Sequence, residues 1–161
     1  MQGTSTQRTR AKRFSLLLLE DGEHYVADWT ATASWPTSVQ GNWQGVATLP
    51  GRLRLASRSL FFEPDDARVP IVRIPFVHVL QMEALDGTTF ATLVASVTKM
   101  KPNAADVPYV TDKSAPSRWQ FTLPYATMDA FMPLANEQLA AGRLCDAERD
   151  AYFDVCLFVI M

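Results

Sequence analysis

At 161 residues, 48% hydrophobic and 20% charged, the chain is long enough for one substantial core and too apolar for general disorder, so a single domain is expected. Its net charge of −2 conceals a basic leader: taking away Arg8, Arg10, Lys12 and Arg13 leaves −6 on the rest, which excludes a general nucleic-acid footprint. No apolar run reaches the roughly 18 residues that a spanning helix needs, and Phe14–Leu19 is too short for a secretory signal, so a cytoplasmic chain is expected.

Residues 1–12 have almost nothing to bury and read as a disordered basic leader. The run Phe14-Ser15-Leu16-Leu17-Leu18-Leu19 fits either a buried strand or one and a half turns of helix, and periodicity does not separate the two. From Glu23 to Trp35, Tyr25, Ala27, Trp29, Ala31, Ala33 and Trp35 alternate with polar residues, which predicts a long strand with its aromatics on one face. Pro36 to Gln44 is read as a loop after it, with Trp43 as an exposed aromatic.

Between Gly51 and Glu63 the leucines Leu53 and Leu55 alternate with Arg52 and Arg54, which predicts a half-buried hairpin closed by Pro64-Asp65-Asp66. Pro70–Ile74 reads as the next strand, Pro75 interrupts it, and Val77–Glu83 resumes as a strand or a short helical turn. Asp86-Gly87 predicts a tight turn pairing Gln81–Leu85 with Thr89–Thr98. After the polar loop Lys99–Asp106, Val107–Val110 and Arg118–Leu123 bring the count to about seven strands.

The chain then changes character. Thr127 is placed to cap a helix in which Met128, Phe131, Met132, Ala135 and Leu139 repeat at helical spacing, Pro133 introduces a kink and Gly142 ends the helix. A second short helix is expected from Asp146, carrying Tyr152, Phe153, Cys156 and Ile160. Residues 143–161 are therefore read as an additional helix, the truncated start of a further region, behind a domain spanning 13–142.

No constellation for catalysis stands out. His24 and His78 lack a neighbouring nucleophile or acid at a recognised spacing, there is no CxxC, HExxH or Gly-rich phosphate loop, and Asp65-Asp66 reads as a turn. Cys145 and Cys156 are eleven residues apart, near three helical turns, and read as small apolar residues on one helical face in a reducing compartment. No enzyme activity, metal or cofactor is expected.

Antiparallel strands in meander order with a helix after them suit an α+β barrel with the helix plugging one end. Three blocks sharpen this: Arg13-Phe14-Ser15-Leu16-Leu17-Leu18-Leu19, then Gly51 to Pro64 with Ser57-x-Ser59 and Phe62-Glu63-Pro64, then Pro70-Ile71-Val72-Arg73-Ile74-Pro75. They resemble the N-terminal PH-like domain of FAN-type proteins, scaffolds with BEACH and WD-repeat regions, and the resemblance spans most of residues 13 to 157. It implies a PH-like (GRAM/PH superfamily) β-barrel capped by a helix, and a non-catalytic adaptor in membrane-linked signalling or trafficking. Its partners would be other domains of the scaffold or signalling proteins.

This reading offers two surfaces. Arg52, Arg54 and Arg58 with Lys99 and Lys101 are candidates for a phosphoinositide headgroup on a peripheral membrane, since several cations on one barrel mouth act as phosphate donors. The same alternation of Arg with Leu also suits a plain solvated strand face. Trp43, Phe153, Leu157 and Phe158 are candidates for protein interaction, because the apolar positions of the last helix exceed what one small barrel can bury.

Overall fold

The computed structural model describes residues 14–34, 48–66, 69, 71–95, 97–100, 109–112 and 117–143. Nine strands form one antiparallel sheet: β1 (Tyr25–Ser34), β2 (Thr48–Ala56), β3 (Ser59–Pro64), β4 (Val72–Pro75), β5 (Val79–Ala84), β6 (Thr89–Val94), β7 (Val97–Met100), β8 (Tyr109–Asp112) and β9 (Ser117–Thr122). Their order is β5-β6-β9-β1-β2-β3-β4-β7-β8, and no pairing among the described residues joins β8 back to β5. The sheet is thus curled but open, a PH-like arrangement completed by the helix α1 (Met128–Gly142).

Strand alternation divides the sheet cleanly. Leu53, Leu55, Leu60, Phe62, Val72 and Ile74 enter the core from β2, β3 and β4, joined by Ala31, Ala33, Phe90, Trp119 and Phe121 from the other half. The helix closes this core with Met128, Phe131, Ala135 and Leu139. Phe131 stacks on Phe90 at 4.6 Å and meets Trp29 edge-on at 5.0 Å, so one ring ties α1 to both β6 and β1.

Most predicted elements lie where the pattern placed them, and four details differ. The run Thr89–Thr98 is divided: β6 pairs with β5 and β9, whereas β7 pairs with β4 and β8, which raises the strand count above about seven. The break carries a bond from the Ala95 amide to the His78 carbonyl, which turns the chain out of β6. Tyr25 leaves the face of Trp29, because a register shift between Tyr25 and Ala27 turns it outward. Thr127 occupies the N-cap position of α1, but its side chain makes no capping bond; its carbonyl instead accepts from the amides of Ala130 and Phe131. Finally, Phe14–Leu19 is neither strand nor α-helix: Leu16–Leu18 form one 3-10 turn, with the Ser15 hydroxyl accepting from the Leu17 amide.

Among the described residues, no helix is long and apolar enough to cross a membrane. Trp35, Trp43 and the expected second helix from Asp146 lie outside the described residues.

Candidate functional site

The outer face of β2, β3 and β4 carries what the core does not use. Odd and even positions separate there, so Arg52, Arg54 and Ala56 share a face with Ser59, Phe61 and Glu63, and with Ile71 and Arg73. Phe61 and Ile71 are buried even so, because residues 14–20 cross this face as a strap. Phe14, Leu18 and Leu19 pack on Ala56, Phe61 and Ile71 and make a second, smaller apolar cluster on the side of the sheet opposite the main core.

Polar contacts pin both ends of the strap. At its start the Phe14 ring meets Phe61 edge-on at 5.3 Å and lies under the Arg54 guanidinium at 4.4 Å, while the Phe14 amide donates to Glu63 Oε1 at 3.3 Å. Glu63 Oε2 accepts from Arg54 at 2.6 Å, so one carboxylate holds both the strap and the arginine. At its end Glu23 is buried: it accepts from the Ser59 hydroxyl, from the Glu20 amide at 2.9 Å and from Arg73 Nη2 at 3.4 Å. Arg73 Nη1 reaches Glu20 at 3.1 Å, so this buried cation bridges the two glutamates beyond the leucine run. Gly22, with φ +75°, makes the turn between those acids, a left-handed conformation that favours glycine.

The turn that packs Phe14, Leu18 and Leu19, each half-buried, on the sheet leaves the remaining leucines facing outward. Leu16 is 65% exposed and Leu17 92% exposed, side by side on the strap. Two adjacent, exposed leucines held in a fixed turn are a presented apolar surface.

The arginines predicted to hold a headgroup can now be placed. Arg52 and Arg54 do share the outer face. Arg52 donates twice to Asp28 Oδ1, at 2.5 and 3.1 Å, and Asp28 Oδ2 accepts from the Tyr25 hydroxyl at 2.6 Å. Burial and the bond it donates to Asp28 push the Tyr25 hydroxyl up to about 12. Burial draws the Asp28 carboxyl upward, but the Tyr25 hydroxyl and the Arg52 guanidinium outweigh it and hold the group below its ordinary value. Arg54 is taken up by Glu63 and Phe14. Arg58 stands at the β2–β3 turn, apart from that pair, with its guanidinium beside Gly22. Lys99 lies on β7 opposite Val72, and Lys101 falls outside the described residues, as do Trp43, Phe153, Leu157 and Phe158.

The sequence reading missed Glu23, Ser59, Arg73 and Phe14 as a linked set. The available signal was a lone arginine inside the apolar run Ile71–Ile74, which requires a partner if that strand is covered on both faces. No group of three or more metal-ligating side chains occurs among the described residues.

A family model for the FAN protein N-terminal PH domain matches residues 1–153. The chain belongs to that family. The match runs through the strap, the hairpin β2–β3, β4 and α1, so the outer-face arrangement lies within the FAN-type PH domain itself.

Proposed function

We propose that this FAN-type PH domain is a non-catalytic adaptor that engages other domains of a BEACH-type scaffold, or signalling proteins, in membrane-linked signalling or trafficking in the cytoplasm. The observation that carries the reading is the strap. It fixes Leu16 and Leu17 in solvent while the cations behind it are taken up by acids of the same face. An apolar anchor surrounded by neutralised charge suits a protein partner, because such interfaces draw most of their energy from a few desolvated apolar contacts.

The test is retention of a recombinant BEACH-containing region on the immobilised chain, with and without Leu17→Glu. Loss of retention on substitution supports the reading, and equal retention by the variant rejects this surface.

Binding of phosphoinositide at a peripheral membrane through Arg52, Arg54, Arg58, Lys99 and Lys101 is the second reading, favoured by the shared face of Arg52 and Arg54. A headgroup there must compete with Asp28 and Glu63 for its donors. Sedimentation with vesicles containing phosphatidylinositol phosphates at two salt concentrations tests it. Salt-sensitive binding lost in Arg52→Ala/Arg54→Ala supports it, and binding unaltered in that variant rejects it.

A further inference from the structure

We infer that Ser15 is a phosphorylation site for a basophilic serine/threonine kinase, and that a phosphate there switches off docking at the leucine pair beside it. The inference rests on the reading of Leu16 and Leu17 as an interaction surface and names its regulation.

Sequence and exposure together select this hydroxyl. Arg10, Lys12 and Arg13 stand five, three and two residues before Ser15, Leu16 follows it, and no acid occurs before Glu20. Cations at those positions with an apolar residue after the acceptor are what an acidic kinase cleft selects, a discrimination by charge. Arg54 stands three residues before Ser57, the same spacing as Lys12 to Ser15, but Ser57 and Ser59 are 3% and 0% exposed and are bonded to the His24 amide and to Glu23. A buried, bonded hydroxyl offers a kinase no nucleophile. Ser15 is exposed and its backbone is extended, with φ −135° and ψ 150°, which suits a chain laid along a cleft. Its hydroxyl accepts from the Leu17 amide at 3.3 Å and donates to no group among the described residues, so its proton is free to leave. In the transfer, Ser15 Oγ attacks the γ-phosphorus of ATP, the bond from that phosphorus to the bridging oxygen breaks to release ADP, and the hydroxyl proton passes to the catalytic aspartate of the kinase.

The phosphate brings a charge of about −1.5 to −2 to the residue adjoining two exposed leucines. Leu16 and Leu17 contribute to binding only when water leaves them, and a dianion one residue along the chain must then lose its hydration or hold the partner off. The cations of the outer face do not offset it, because Arg54 is committed to Glu63 at 2.6 Å and Arg73 bridges Glu20 and Glu23. Glu63 also holds the Phe14 amide at 3.3 Å, one residue from the phosphate, and adds repulsion. The converse holds as well. Phe14 packs on Phe61 and is covered by Arg54, so the strap has to lift there before the segment can enter a cleft, and a partner seated on Leu16 and Leu17 keeps it down. Docking and phosphorylation therefore oppose one another through one short segment.

Phosphate incorporation into the full chain tests the site without any partner. The chain is incubated with MgATP and the catalytic subunit of cyclic-AMP-dependent kinase, a basophilic enzyme, and the product is mapped by mass spectrometry. Phosphate at Ser15 is expected, absent in Ser15→Ala and incorporated about ten-fold more slowly in Lys12→Ala/Arg13→Ala. The modified and unmodified chains are then immobilised and compared for retention of the BEACH-containing region, with Leu17→Glu alongside. Phosphorylation should weaken retention by about ten-fold or more, and phosphatase treatment should restore it. No phosphate at Ser15, or a rate indifferent to the two basic residues, would overturn the site, and equal retention by the phosphorylated chain would overturn the switch. The adaptor reading fails separately, through retention that the unmodified chain lacks or that Leu17→Glu leaves unchanged; either result takes the switch with it, while incorporation still decides the site.

Discussion

Replacing Phe14 with Ala isolates what holds the strap on the sheet. The ring is half-buried in the outer cluster, so its removal forfeits about 1.5 kcal/mol of apolar burial. Its edge-on contact with Phe61 adds about 0.5–1.5 kcal/mol, and the Arg54 guanidinium at 4.4 Å about 0.5–1 kcal/mol. These contributions overlap, and a total of about 2–3 kcal/mol is expected. Because the strap precedes β1 and pairs with no strand, the loss should appear as local opening before global unfolding. The reporters are the amides of Leu18 and Leu19, which donate to the carbonyls of Ser15 and Leu16 at 3.0 and 3.2 Å. Hydrogen exchange there should accelerate by about 30- to 150-fold, given a factor of ten per 1.36 kcal/mol. Amides of β6 and β9 on the far half of the sheet should keep their protection. Unchanged exchange at Leu18 and Leu19, together with an unmoved denaturation midpoint, would refute the account of the strap as a packed element.

Three further perturbations probe the same frame. Gly51→Ala places a Cβ 2.8 Å from Phe62 Cζ and 2.9 Å from Pro64 Cα, against backbone that has nowhere to go, so a loss of about 3 kcal/mol is expected in chemical denaturation. Arg73→Met leaves the buried Glu23 without its cation and should cost about 3 kcal/mol, whereas Arg52→Ala breaks an exposed pair and should cost less than about 1 kcal/mol; equal losses would show that burial is not what separates them. Since the folded state raises the Tyr25 hydroxyl from 10.0 to about 12, the stability it confers is complete below pH 10 and is lost as pH rises toward 12. Thermal melts across that window should slope downward in the natural chain and less steeply in Tyr25→Phe.

How legible the fold was depended on whether a residue's partners lie in its own strand pattern. Leu53 and Leu55 against Arg52 and Arg54 defined one face of β2 from the sequence alone, because alternation is set by the backbone and needs no knowledge of neighbours. Asp86-Gly87 located its turn for a similar local reason: Asp86 Oδ1 accepts from the amides of Thr88 and Thr89 within the same few residues. Phe14–Leu19 resisted assignment because its side chains divide between an outer sheet face and solvent, a split that matches neither period two nor period 3.6. The separation of β6 from β7 was hidden likewise. It depends on β4 offering Val72 and Arg73 to Lys99 and Thr98, a pairing between distant segments.

The candidate site turned on the same distinction between local and non-local partners. Arg52 and Arg54 were visible as cations on one face, but Asp28 comes from β1 and Glu63 from β3, so their neutralisation needs the assembled sheet. Once it is assembled, the strap and the arginines are a single arrangement. Glu63 accepts from both the Phe14 amide and Arg54, and Arg54 in turn covers the Phe14 ring. Freeing Arg54 for an anion would therefore loosen the strap, and lifting the strap would expose Phe61 together with an arginine still paired to Glu63. A ligand for the cations and a partner for Leu16 and Leu17 are consequently coupled through one carboxylate. Binding of an anion at Arg54 should weaken any docking that requires the leucine pair to be held in its turn.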